Sequence, residues 1–142
     1  MKYKYQKELD YYIQQGALIP ALHDPKVKEA YRYVFANEPQ KNHLPPHKLH
    51  PNRLLQQIKN GNVDLSGFAL SNLETKKEAS AFYRYLCKIC KNAKKQIGDS
   101  MSYGIINSED GMITSTDSYG HFDLYESDSC DLASSFKIIQ AL

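Results

Sequence analysis

Apolar residues follow helical spacing through the first part of the chain. Over residues 4–15 they form one stripe, and Gly16 is placed to end the helix that this stripe predicts. A second helix is predicted from Asp24-Pro25, because a capping residue followed by proline at the first helical position is a typical helix start. The apolar residues after it recur at helical intervals as far as Pro39, and they are Val27, Ala30, Tyr31, Val34 and Phe35.

The middle of the chain combines an irregular connection with the clearest helix. Four prolines between residues 37 and 51 predict a connection without regular structure, followed by a short helix over 52–59. Residues 65–71 alternate large and small side chains, which is typical of a strand. A long helix is predicted from Thr75, which has capping-box spacing with a later glutamate, to Gly98, and its apolar side chains share one face.

Beyond residue 99 the pattern changes to a period of two. Clusters of Asp, Ser and Gly, which favour turns, separate short segments of alternating polarity. The segments predicted as strands lie near 101–106, 112–116, 121–126 and 135–140. Regular strands between short turns favour an antiparallel meander.

These elements predict an α+β fold, with N-terminal helices and one long amphipathic helix packed on a small C-terminal antiparallel sheet. The 142 residues are near the common size of one domain, in which we distinguish a mainly helical part (1–61) and a strand–helix–meander part (62–142). The chain has no apolar run near the roughly 20 residues that cross a bilayer, and no apolar segment near its start. With three cysteines, an odd number, we expect a cytoplasmic protein without a disulfide framework or a membrane partner.

Charge divides the chain into two blocks of opposite sign. Residues 1–98 hold 17 of the 18 basic residues and 8 of the 16 acidic ones, whereas residues 99–142 hold eight acids and one basic residue, Lys137. The positive charge concentrates on the long predicted helix, opposite its apolar stripe, where no acid occurs between Ala79 and Gly98. The residues of this basic helix face are Lys77, Arg84, Lys88, Lys91 and Lys95.

The basic helix face and the acidic C-terminal region favour a small binding or accessory protein that acts through surface charge. We expect a protein or another anionic partner rather than a small molecule. Nucleic acid is the alternative, because the cations of such a helix could meet several phosphates. The sequence nevertheless contains no helix-turn-helix, zinc-finger or aromatic stacking signature, and it identifies no cofactor.

Three histidines between residues 43 and 50 are candidate metal ligands, because imidazole is the commonest nitrogen ligand of zinc. They are His43, His47 and His50. The prolines among them exclude the helical pairing of many zinc sites, and no carboxylate lies between them. An exposed polar loop is therefore the simpler interpretation.

An enzyme with its site on the C-terminal sheet is a further alternative. In a strand over 121–126, His121, Asp123 and Tyr125 share one face, and Glu126 lies on the other with Phe122. Histidine, carboxylate and phenol side chains on one face could perform general acid–base chemistry. A solvated sheet face displays the same residue types, so both interpretations stay open.

The order of three residues resembles the layout of the arginine–serine–glutamate ADP-ribosyltransferases, in which an arginine precedes a strand ending in serine and a glutamate follows on a late strand. The matching residues are Arg32, Ser71 and Glu126. This resemblance implies a transferase site that contains all three. The chain departs from the layout because Arg32 falls in a predicted helix, Ser71 stands alone where the family has a Ser-Thr-Ser motif, and the late Glu-x-Glu motif is absent.

Overall fold

One antiparallel sheet of six strands organises the fold. The computed structural model describes residues 1–142 and confirms an α+β protein whose strands lie mostly in the C-terminal part. The strands are β1 (Val27–Val34), β2 (Leu70–Leu73), β3 (Ser100–Asn107), β4 (Gly111–Ile113), β5 (His121–Glu126) and β6 (Lys137–Ala141). The helices are α1 (Gln6–Gln14), α2 (Pro46–Leu49), α3 (Pro51–Lys59), α4 (Lys76–Ile89), α5 (Ala93–Gln96) and α6 (Leu132–Ser135), with 3-10 turns at Pro39–Lys41 and Leu65–Phe68. None of these helices combines the length and the apolar character needed to cross a membrane.

The strand order is β4-β5-β2-β1-β3-β6, which is not the order of a simple meander. Among the four strands after residue 99, only β4 and β5 are consecutive in sequence and also paired in the sheet. Strand β3 pairs instead with β1 and β6. At the centre, β1 and β2 pair at a single position, Tyr31 with Leu73. The sheet therefore has a weak join between β1 and β2, and the candidate site lies there.

The second predicted helix is wrong, because residues 27–34 form strand β1. The same residues also alternate, so that Ala30, Arg32 and Val34 are buried at every second position, and β-branched and aromatic side chains favour a strand. Pairing with β3 at eight positions stabilises the extended conformation. Asp24 and Pro25, predicted to start a helix, instead lead into a turn in which the Asp24 carboxylate accepts the Lys26 N–H (2.7 Å).

The strand predicted over 65–71 is wrong in its first half, because Leu65–Phe68 form a 3-10 turn and β2 covers Leu70–Leu73. The remaining helices follow the sequence more closely. Thr75 caps α4 by accepting the Glu78 N–H (3.1 Å), but the long helix stops at Ile89 and resumes as α5. Lysines three or four residues apart repel each other on a continuous helix, and no acid among them offsets this. The supposedly irregular connection includes the one-turn helix α2, which Pro46 can start because the first helical position needs no N–H donor.

Apolar clusters lie on both faces of the sheet. One face carries a cluster that includes Phe122 and Leu124 of β5 and Phe136. On the other face Tyr125 packs near α1, and Ala79 of α4 is buried against the sheet. The helix α4 thus lies over the same sheet face as His121, Ser71 and Tyr125, and it forms one wall of the candidate site.

Candidate functional site

Ser71 and His121 form the centre of the candidate site. Ser71 on β2 pairs with Asp123 on β5, and His121 pairs with Leu73, so the three polar side chains share a face. The Ser71 Oγ and the His121 Nε2 are hydrogen-bonded at 2.5 Å. The Asp123 Oδ1 lies 3.5 Å from the same nitrogen, and the Asp117 Oδ2 lies 3.8 Å from the His121 Nδ1. The histidine therefore has a hydroxyl and a carboxylate near one ring nitrogen and a second carboxylate near the other, an arrangement that could support general acid–base chemistry.

The turn before β5 fixes the position of His121. The Asp117 carboxylate accepts the backbone N–H groups of Tyr119 and His121, each at 2.9 Å. Gly120 has a positive φ of 79°, and a Cβ at this position would overlap the Glu78 carboxyl group of α4. Aspartate and glycine at these positions thus allow the turn to pack closely against α4 and to direct His121 toward Ser71.

Asp123 is a half-buried acid with a raised pKa. Burial raises the pKa of its carboxyl group, and the carboxylates of Asp64 and Asp117 act in the same direction. The nearby His121 and Arg32 oppose this change. A carboxyl group with a raised pKa takes up a proton more readily than an exposed aspartate, which suits it to act as a base during a reaction.

Arg32 brings a buried positive charge to the underside of this site, because strand alternation places its side chain on the sheet face of Ala30 and Glu126 rather than on that of His121. Its side chain is 6% exposed, and its Nε donates to the His43 Nδ1 at 3.1 Å. Its Nη1 donates to the Ser71 carbonyl. Strands β1 and β2 do not pair at this position, so the guanidinium takes the place of the backbone N–H that a longer pairing would have supplied. Arg32 forms no ion pair, and burial lowers its pKa to about 10. The guanidinium remains charged at neutral pH and would attract an anionic ligand.

A cleft of about 270 Å³ opens above these groups, and we call it the Ser71 cleft. Arg32, Ser71 and His121 line it on the sheet side, and Phe82 of α4 forms part of the opposite wall. Arg53 of α3 adds a second cation to the lining. The cleft thus combines apolar walls with convergent polar groups, which is the usual composition of a small-molecule site.

Glu126 lies outside this cleft, contrary to the arrangement that the resemblance implies. Its side chain is on the other sheet face, is 2% exposed, and forms a 2.6 Å ion pair with the Lys4 Nζ. Its Oε1 is buried without a partner. The carboxylate next to Ser71 is that of Asp123, because Asp123 and not Glu126 is the cross-strand partner of Ser71.

Tyr125 shares the face of His121 and Asp123 but is fully buried. Its ring packs with Leu9 and Phe68, and burial raises the pKa of its hydroxyl. The hydroxyl has no hydrogen-bond partner. Tyr125 lines a second cleft on the other side of His121, where Asp64, Asp117 and Asp123 also lie.

The three histidines of the proline-rich connection have separate partners, and their side chains are buried or half-buried rather than displayed on an exposed loop. His43 accepts from Arg32, and burial next to this cation lowers its pKa to about 3. His47 contacts the Asp64 carbonyl at 2.8 Å, and His50 contacts the Gln96 carbonyl at 3.1 Å. No group of three or more His, Cys, Asp or Glu side chains is arranged to hold a metal ion. The sequence did not predict the hydrogen bond between Arg32 and His43, because it depends on how the chain turns back toward β1 after Val34.

All five residues of the basic helix face are exposed, and none of them forms an ion pair. Lys77, Arg84 and Lys88 lie on α4, Lys91 follows that helix, and Lys95 lies on α5. The positive charge is therefore available to a partner over two successive elements.

Comparison with known proteins gives no further assignment. The chain matches no protein-family model, no curated protein and no solved structure. What can be inferred about its function therefore depends on the geometry of the Ser71 cleft and of the charged surface.

Proposed function

We propose that the chain is an enzyme whose reaction takes place in the Ser71 cleft, and that it transfers ADP-ribose from NAD+ to an acceptor or to water. The observation that carries this proposal is the meeting of Arg32 from β1, Ser71 from β2, and His121 with Asp123 from β5. Ser71, His121 and Asp123 share one sheet face, and the buried Arg32 guanidinium reaches the Ser71 carbonyl from the other face. Such groups are typical of a functional site.

The resemblance to the arginine–serine–glutamate ADP-ribosyltransferases gains support from the position of Arg32. Because Arg32 lies on a strand rather than in a helix, one of the three departures from that layout disappears. Ser71 lies on the strand before α4, although it is the second residue of β2 and not its last, as the layout would have it. In our proposal Asp123 takes the place of the glutamate, since its carboxylate lies on the Ser71 side of the sheet and that of Glu126 does not. Asp123 lines the second cleft, and His121, which lines both clefts, connects it to the Ser71 cleft at 3.5 Å.

The proposed residue roles follow from charge and position. Arg32 would attract the phosphates of NAD+, the donor of ADP-ribose, by electrostatic attraction from below the cleft. During transfer, nicotinamide leaves with the electron pair of its bond to the ribose, and an acceptor hydroxyl, amine or water forms the new bond to that carbon. The proton of the acceptor would pass to Asp123 or His121. Ser71, held by His121, would position the ribose.

Nicotinamide release from NAD+ tests this proposal. We expect the purified chain to release nicotinamide, and His121→Ala and Asp123→Asn to reduce the rate about 10²- to 10⁴-fold, the usual contribution of a general acid or base. The matched control is His23→Ala, which removes an exposed histidine that lines no part of the Ser71 cleft. Equal rates in the wild type and in His121→Ala would overturn the assignment of the site.

A second proposal is that the basic helix face binds an anionic partner, either a protein or another polyanion. It is supported by five exposed cations that form no ion pair, four of which lie in the stretch from Ala79 to Gly98 that contains no acid. Charge reversal of Arg84, Lys88, Lys91 and Lys95 to glutamate should abolish capture of partners at low salt while the protein stays folded. Unchanged capture by this variant would contradict the proposal.

A further inference from the structure

Two exposed tyrosines stack on each other at the edge of the Ser71 cleft. Tyr85 comes from α4 and Tyr119 from the turn before β5, and their rings lie 5.9 Å apart at an angle of 20°. Tyr85 is 44% exposed and Tyr119 is 54% exposed, so much of this aromatic surface faces solvent. Phe82 contacts both rings, at 6.1 and 5.6 Å, and supports them from the side of the protein. We call this pair the tyrosine platform.

The tyrosine platform is connected to the catalytic candidates through Phe82. The Phe82 ring lies 5.6 Å from Tyr119 and 6.0 Å from the His121 ring, and it lines the Ser71 cleft. A planar group stacked on the platform would therefore be next to the entrance of the cleft.

Positive charge lies along one side of the platform. At 100° per residue, Lys77, Arg84 and Lys88 project about 60–100° from Tyr85 around α4, all toward the same side. Two acids lie near the platform: Glu78 projects about 20° from Tyr85 around α4, and Asp117 lies in the turn that carries Tyr119. Asp117 accepts two backbone N–H groups, and Glu78 is hydrogen-bonded to Thr75. An anionic backbone would therefore follow the side of α4 that carries Lys77, Arg84 and Lys88, away from these acids.

We propose that this surface binds single-stranded nucleic acid, with a base stacked on Tyr85 and Tyr119 and the adjoining phosphates on Arg84 and Lys88. This inference rests on the second proposal above, an anionic partner, and it names that partner. Exposed aromatic rings beside a cationic track are the means by which proteins bind single strands, because unpaired bases can stack on side chains. Bases within a duplex stack on each other instead. Tyrosine also occurs at protein–protein interfaces, but two near-parallel rings beside a row of cations match a base with its adjoining phosphates in particular.

Fluorescence anisotropy with labelled oligo(dT) and oligo(U) of about 12 nucleotides tests the proposal, since single-strand sites commonly cover about 4–16 nucleotides. We expect Tyr85→Ala and Tyr119→Ala each to weaken binding about 5- to 150-fold, the range for loss of one stacked base. Tyr85→Phe should keep most of the affinity, because the ring remains. The matched control is Tyr11→Ala on α1, which removes a tyrosine of similar exposure, 57%, that contacts neither ring of the platform.

The salt dependence tests the phosphate contacts separately. For the double variant Arg84→Gln with Lys88→Gln, we expect the slope of log K against log salt to fall in magnitude by about 1.4, which is about 0.7 for each lost phosphate contact on a single strand. Lys59→Gln, an exposed lysine on α3, should leave the slope unchanged. Thermal unfolding followed by circular dichroism confirms that each variant is folded.

Several results would overturn the proposal. They are absence of binding to both oligonucleotides, equal or tighter binding of a duplex, and equal losses in Tyr11→Ala and Tyr85→Ala. Binding of poly-glutamate without binding of oligonucleotides would leave the anionic-partner proposal intact and refute only this inference. Ser71→Ala should bind oligonucleotides as the wild type does even where it loses nicotinamide release, which separates this surface from the reaction.

Discussion

Replacing Arg32 with methionine removes a buried cation that the fold does not pair with a carboxylate. Methionine fills part of the space of the arginine stem but donates no hydrogen bond. Burial lowers the pKa of Arg32 from 12.5 to about 10, a fall equivalent to about 3 kcal/mol of destabilisation of the charged form. Below about pH 10 the guanidinium is charged in both the folded and the unfolded state. The folded state therefore bears the full cost of burying this charge at every pH below about 10.

The hydrogen bonds of Arg32 act in the opposite direction. Its guanidinium donates to the His43 Nδ1 and to the Ser71 carbonyl. Hydrogen bonds that involve a charged group contribute about 1.5–3 kcal/mol each, so the two contribute about 3–6 kcal/mol. After the desolvation penalty is subtracted, we expect Arg32→Met to lower the free energy of unfolding by about 0–3 kcal/mol.

Urea denaturation followed by circular dichroism measures this change. We expect a modest shift of the midpoint at a constant slope with denaturant, together with loss of nicotinamide release. Lys59→Met is the control, since substitution of an exposed lysine on α3 should change stability by less than about 0.5 kcal/mol. A loss above about 5 kcal/mol would refute the reasoning, because Arg32 would then be a structural residue. Full activity in Arg32→Met would refute its proposed role in the reaction.

Three further predictions concern pH and helix capping. Because burial and Arg32 lower the pKa of His43 to about 3, the unfolded chain takes up a proton below about pH 6.5 that the folded one does not. Stability should therefore fall by about 3 kcal/mol between about pH 6.5 and about pH 4, and urea titrations should show a weaker fall in His43→Asn. Because burial raises the pKa of Asp123, its charged form destabilises the fold above that pKa. Asp123→Asn should raise the free energy of unfolding at neutral pH and have no effect below the ordinary aspartate pKa of 3.8, and a destabilised Asp123→Asn at neutral pH would contradict the burial argument. Thr75→Ala should lower thermal stability by about 1 kcal/mol through loss of the α4 cap, and Thr75→Ser should restore it.

The fold class was predictable from the sequence, but the pairing of the strands was not. Period-two segments after residue 99 correspond to β3, β4, β5 and β6, because their alternation reports burial on one face. Residues 27–34 satisfy helical and strand periods together, and only pairing with β3 decides between them. Strand order depends on contacts between distant residues, which local periodicity does not contain.

The candidate site was predictable in its parts. The alternation along β5 correctly separates His121 and Asp123 from Glu126, and the carboxylate that meets Ser71 follows from the register of β2 with β5. The contact of Tyr119 with Tyr85 could not be read from the sequence, since 33 intervening residues, including all of β3 and β4, lie between them. This contact supplies the aromatic stacking surface that the sequence alone does not show.

Nicotinamide release from NAD+ by the wild type and by His121→Ala tests the central claim, that the Ser71 cleft is a catalytic site, most directly. The account predicts measurable release by the wild type, a loss of about 10²-fold or more in His121→Ala, and an unchanged rate in His23→Ala. Absence of release by the wild type, or equal release by the wild type and His121→Ala, would contradict it.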